Sequence, residues 1–245
     1  MTAKDIIADY GDRSDHVSAF ASLAATGSRP QHAHRDLMTW AKTFGSDLTP
    51  ALVRCTHRKQ HEHGTTSSDH WVLYPHEVFA AMYDRKTELW NHSIMGPEGF
   101  AGIEEFWSSE SGKDWFVRHP ALKHDDLRHC IPLGFHADKG AHIKRDKILT
   151  ISWGSAMSVA PTEWSHFLFT ILPDELAASE TAEQLYAVLV WSVQWLSLGI
   201  WPDTDHNGNP WPHGSRRKCL VGKPLAGPPS LPLCFTPEVA WLASR

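Results

Sequence analysis

The sequence predicts an α+β fold: an antiparallel meander of three strands followed by one long helix, with a helical region ahead of it. Two observations carry this. Residues 131–137, 148–153 and 167–172 are short runs rich in β-branched and aromatic residues, each bounded by Gly or Pro turn chemistry. Residues 181–198 then form an apolar double stripe at helical spacing.

In the first strand, Ile131, Leu133, Phe135 and Ala137 alternate with Pro132, Gly134, His136 and Asp138, and Asp138-Lys139-Gly140 ends it with a turn. The second, Ile148–Trp153, is closed by Gly154. The third, Phe167–Leu172, is stopped by Pro173 and is apolar on both faces, which predicts cover on both sides. Thr181 and Gln184 read as a capping box for the helix. Leu185, Val188, Leu189, Trp195 and Leu196 form one stripe, and Tyr186, Val190 and Val193 a second. Gly199 is the natural C-cap and Pro202 a stop. Ser192, Gln194 and Ser197 interrupt a run shorter than the roughly 20 residues of a membrane span, so this reads as a core helix with no membrane partner.

Residues 1–53 read as an N-terminal helical region, with Ser14 and Asp15 capping one helix and Gly45 ending another. Residues 54–70 are polar, without period, and read as a His-rich linker. Cys55, His57, His61 and His63 are zinc-type ligands, but their spacing matches no standard finger, and a solvated loop is the expected reading. Residues 71–120 read as a helical subdomain, with Pro75 in a first turn, a break at Gly96-Pro97 and a stop at Ser111-Gly112. Residues 121–221 hold the meander and the long helix. Within them Asp203, Asp205, Asn207 and Gly208 match the first half of a calcium loop, but its twelfth position is Gly214, so a turn is expected. Residues 222–245 read as a Pro-rich, loosely ordered tail.

The chain has 245 residues, enough for one well-cored domain, and its net charge of −5 excludes a polycationic nucleic-acid binder. Any such binding must use local patches at Arg54–Lys59, Lys139–Lys147 or Arg216–Lys218, each of which reads first as a solvated loop. Four scattered cysteines and the absence of a signal-peptide core predict an intracellular location, nucleus or cytoplasm. There is no P-loop, G-x-G-x-x-G or G-x-S-x-G motif.

Several phrases occur in a distinctive order: Leu73–Phe79, Phe106-Trp107 before His119-Pro120, Ile131–Asp138, Ile151–Trp153, Gly199–Pro202 with Asp205 and Gly208, and Gly222–Gly227. Over residues 71–227 the chain resembles an uncharacterised, highly repeated dinoflagellate protein family with an RNase H-like (DDE-type) transposase core. The resemblance implies an RNase H-like partial core and makes Asp138, at the end of the first strand, the catalytic residue and metal ligand, with Mg²⁺ as the ion if that site survives. It also implies a second carboxylate on a strand after Gly222–Gly227, ending near Gly-Asp. Here the phrase runs into Pro228–Phe235, and such proline density is incompatible with a central strand. The second position is therefore expected to be absent, with Asp203, Asp205 and Glu238 as distant substitutes.

Three functions follow as expectations. The first is a truncated, inactive relative of a DDE-type transposase or nuclease. The second is a non-catalytic nucleic-acid- or protein-binding module on the same scaffold. The third is a metal-dependent nuclease whose other ligands the sequence does not reveal. His136 shares a strand face with Asp138, so a hydrogen-bonded His–Asp pair is expected there.

Overall fold

The computed structural model describes residues 48, 50–59, 63–85, 90–118, 127, 130–141, 147–160, 165–226 and 234–238. All of them belong to one compact unit, Leu48–Arg245. The helices predicted between residues 14 and 45 lie outside the described residues.

The segment read as a linker is instead a β-hairpin. Strand β1 (Ala51–Arg58) pairs antiparallel with β2 (Thr65–Val72), with Cys55 opposite Ser68. Its period is two: Ala51, Val53, Cys55 and His57 are buried, while Leu52, Arg54 and Arg58 are exposed. A cysteine and a histidine stand at inward positions where an aliphatic residue would have announced the strand. The boundary predicted at residue 53 falls inside β1.

Helix α1 (Pro75–Arg85) begins at the predicted proline and buries Val78, Phe79 and Met82. A π-turn (Asn91–Met95) ends at Gly96, whose φ of 74° suits glycine. Helix α2 (Gly99–Ser108) is followed by α3 (Glu110–Arg118). The predicted stop at Ser111-Gly112 thus lies inside α3. Ser109 caps α3, its Oγ accepting from Gly112 N at 3.1 Å. A Cβ on Gly112 would come within 2.2 Å of Phe106 O, so this glycine permits a tight corner between two helices rather than ending one.

The main sheet contains β3 (Cys130–Ala141), β4 (Lys147–Ser155) and β5 (Phe167–Pro173), consecutive and antiparallel as predicted, each somewhat longer than the sequence suggested. Gly154 does not close β4. It lies inside the strand, where a Cβ would meet Ser165 O at 2.3 Å. In β5, Phe169 and Leu172 are buried but Ile171 is exposed, so the two-sided cover expected from its apolarity is incomplete. Helix α4 (Thr181–Leu198) buries Leu185, Val188, Leu189, Val193 and Leu196, while Val190 of the second stripe faces solvent. Gly199 closes it in the left-handed conformation, as predicted.

The capping box is not formed. Thr181 Oγ1 accepts from Ala178 N at 2.8 Å and donates to Thr56 O, and Gln184 Oε1 accepts from Thr56 N at 2.7 Å. Both side chains fasten the hairpin instead of the helix start.

The tail also departs from expectation. Leu225 is buried, and β6 (Cys234–Glu238) pairs parallel with β3, giving the strand order β5-β4-β3-β6. Pro237 is tolerated because β6 is an edge strand. The short helix α5 (Arg216–Leu220) lies between α4 and β6. Trp153, Phe79, Phe169, Ile94, Ile103, Ile131 and Leu133 form the driest part of the core. Among the described residues no helix is long and apolar enough to cross a membrane.

Leu189 is 4% exposed, so Leu189→Ala is expected to destabilise the fold by about 2–5 kcal/mol in urea unfolding. A change below about 0.5 kcal/mol would place that face of α4 outside the core. Removing the chain from Pro228 onward uncovers the β3 edge at Cys130–Gly134. Calorimetry should show a melting temperature several degrees lower, and an unchanged value would mean that β6 contributes no stability.

Candidate functional site

Asp138 is exposed near the end of β3 and lies opposite Thr150 of β4. Its other neighbouring strand, β6, ends with Glu238 opposite Gly134. Four residues at about 3.3 Å each separate that level from Asp138, roughly 13 Å along the strand. Two-metal chemistry needs ions about 4 Å apart held by shared carboxylates. Among the described residues no group of three or more His, Cys, Asp or Glu side chains is placed to hold a metal ion. These residues therefore do not fit the Mg²⁺ site that the resemblance implies. Nor does His136 pair with Asp138: its ring meets that of His166, with centroids 6.3 Å apart.

The other sequence candidates are dispersed in the same way. Cys55 and His57 share the inner face of β1, His63 is exposed, and His61 lies outside the described residues. Burial pushes the Cys55 thiol pKa up, which keeps it protonated. The Asp205 carboxylate closes its own loop, accepting from Asn207 N at 2.9 Å and Asn209 N at 2.8 Å. The turn reading of that segment holds.

Two polar clusters are brought together by the fold. The first surrounds Arg217 of α5. Its Nε donates to Glu77 Oε1 at 2.5 Å and its Nη2 to Glu77 Oε2 at 3.1 Å, a bidentate pair. The guanidinium lies 5.2 Å from the ring centroids of both Tyr74 and Trp211. Burial works against the Arg217 charge, but the hydrogen bond and charge of Glu77 outweigh it and raise the pKa. Arg217–Glu77 is a structural clamp between α5 and α1, not a solvated basic loop. Beside it His76 is fully buried, stacked on Tyr74, with Ser192 Oγ 2.8 Å from Nδ1 and no hydrogen-bond partner at Nε2. Burial and the nearby Arg217 lower its pKa to about 3.

The second cluster lies on the inner face of the hairpin. His57 Nδ1 is 2.8 Å from Ser68 Oγ, His57 Nε2 is 3.4 Å from His70 Nδ1, and His70 Nε2 is 2.8 Å from Thr170 Oγ1. Thr170 donates to Trp71 O at 2.8 Å. The chain borders an open cleft of about 320 Å³, whose walls include Arg58, Lys59, Thr66 and Leu176. Burial lowers the pKa of His57. Burial and then the charge of His57 lower that of His70, so both imidazoles are neutral at pH 7. The linker reading hid this cluster. The signal that reveals it is the i, i+2 spacing of Ser68 and His70 together with Cys55 and His57, which puts all four on inner strand faces.

Comparisons with protein-family models, with curated proteins and with solved structures give no match.

His76 yields a pH prediction. Its native pKa of about 3 lies below the unfolded value near 6.5, so between these pH values only the unfolded chain holds the proton. Its contribution is complete above about pH 6.5 and is lost as the pH falls toward 3. His76→Phe should flatten the stability–pH curve in that window by about 1.4 kcal/mol per pH unit, read from urea unfolding across a pH series. Equal slopes for the two proteins would refute a neutral, buried His76.

Proposed function

We propose that this chain is a non-cleaving relative of DDE-type transposases and nucleases, with an RNase H-like sheet retained as a binding scaffold. The observation that carries the reading is the strand order β5-β4-β3-β6. Three consecutive antiparallel strands are followed by a helix and then by a strand parallel to the first. Asp138 on the first strand is in keeping with that ancestry. The register of β6, which ends four positions short of it, argues against a shared metal site.

A nucleic-acid backbone is the partner this reading favours. Arg58, Lys139 and Lys147, from two of the three basic stretches, lie around Asp174. Lys139 Nζ donates to Asp174 Oδ1 at 2.8 Å, and that hydrogen bond and charge, followed by Lys147 and Arg58, hold the Asp174 carboxyl below its usual range. Acidic groups are interspersed, so binding there is weak and strongly salt-dependent.

The test is incubation of the full chain with labelled single- and double-stranded DNA and RNA at millimolar Mg²⁺ or Mn²⁺. No cleavage is expected, and retention of nucleic acid should fall steeply with salt. Metal-dependent cleavage that disappears in Asp138→Asn would overturn the non-cleaving reading. Salt-independent binding, or none, would remove the nucleic-acid partner.

A further inference from the structure

We propose that Ser68 is a nucleophile activated by His57, in a hydrolytic site for small anionic esters on the inner face of the hairpin. The carbonyl of Trp71 can only accept, so the Thr170 hydroxyl spends its one proton there. Thr170 Oγ1 must then accept from His70 Nε2–H, 2.8 Å away, which leaves His70 Nδ1 as a bare acceptor. His70 Nδ1 faces His57 Nε2 at 3.4 Å. Two bare nitrogens there would repel, so His57 carries its proton on Nε2 and presents a bare Nδ1 to Ser68 Oγ at 2.8 Å. The Trp71 carbonyl thus orders the protons along this chain and makes His57 a base toward Ser68, against the backbone contact of Cys55, which favours a proton on the His57 ring.

This is the nucleophile, base and orienter logic of hydrolytic triads, with the second histidine where an acid usually stands and Nδ1 as the basic nitrogen. The 3.4 Å link is loose, as such links are in unliganded sites. Ser68 is half-buried at the wall of the cleft, where Arg58 and Lys59 stand with one carboxylate, Asp69, which is itself paired with Arg54 at 3.0 Å and leaves the wall net cationic. Such a wall suits an acyl group bearing a carboxylate and the negative charge that develops on its carbonyl oxygen.

In the first step Ser68 Oγ bonds to the ester carbonyl carbon while its proton passes to His57 Nδ1. The resulting imidazolium is held by His70 Nδ1. The bond to the leaving alcohol then breaks, and the alcohol oxygen takes the proton from Nδ1. Water attacks the acyl-Ser68 ester, giving a proton to the same nitrogen. Collapse releases the carboxylic acid and returns the proton to Ser68 Oγ. No oxidant or metal is required.

The probes are mono-4-nitrophenyl succinate, with neutral 4-nitrophenyl acetate for comparison, and a fluorophosphonate followed by peptide mass spectrometry, all on the full chain. The wild type should hydrolyse the anionic ester faster than the neutral one and take up the fluorophosphonate on Ser68. Ser68→Ala, a small change on a half-buried strand position, should lower kcat/KM by about 100-fold or more while leaving the urea midpoint near its original value. Thr170→Val removes the acceptor for His70 Nε2–H. As a positioning change it should lower kcat more than it alters KM and displace the pH profile of kcat. The proposal is overturned by a wild type that neither hydrolyses nor labels, by label on another residue, or by a Ser68→Ala protein that folds and keeps its activity.

Discussion

The placement of the hairpin depends on one residue of β1. Thr56 uses its N–H, its carbonyl and its hydroxyl in bonds to the first turn of α4: N–H to Gln184 Oε1 at 2.7 Å, O from Thr181 Oγ1, and Oγ1 from Gln184 Nε2 at 3.1 Å. A two-stranded hairpin is marginal in water. Here it is held on one side by this lock and on the other by Leu73 N, which donates to Phe169 O of β5 at 2.8 Å. Between those attachments the inner face, with His57, Ser68 and His70, is pressed toward Thr170. Shifting the hairpin by one residue would turn each of those side chains to the opposite face.

The meander and its helix were legible in the sequence because aliphatic and aromatic residues occupy their inward positions. Ile131, Leu133, Ile151, Trp153, Phe169 and Leu172 mark the strands, and Leu185, Val188, Leu189 and Leu196 mark the helix. The hairpin was illegible for the converse reason. Its inner face is apolar at Ala51, Val53 and Val72 but is continued by His57, Ser68 and His70, which bond one another, so over residues 55–70 alternation in hydrophobicity gives way to alternation in hydrogen bonding. Thr181 and Gln184 show a related limit. Their spacing satisfies a capping box, but a tertiary partner competes for the same atoms, and local sequence does not contain that partner. The Pro-rich tail concealed β6 because proline density argues against a central strand and says nothing against an edge.

The basic stretches separate for reasons of solvation. Arg217 is taken from water by Glu77, Tyr74 and Trp211, and a buried charge is tolerated only with such compensation. Its neighbours in sequence, Arg216 and Lys218, do not share that pair. Arg58, Lys59 and Lys147 lie instead at strand ends and are exposed. Charge runs that look equivalent in composition therefore divide into a clamp and a surface.

The stability of the sheet and the chemistry of Asp138 are also separable. The fully buried residues of β3 are Cys130, Ile131 and Leu133, and exposure begins toward its far end, at Asp138 and Lys139. Among the described residues β6 pairs with β3 at Cys130–Gly134, the part that packs the core. A pairing strand of that length satisfies the edge where apolar burial requires it. Selection for folding alone would keep Ile131, Leu133 and the β6 contact, and would place no demand on the position opposite Asp138. On the proposed reading, this is how such a sheet keeps its strand order after its carboxylates have ceased to converge. Chemistry would then depend on a different face of the molecule, such as the inner face of the hairpin, whose polar chain is independent of β6.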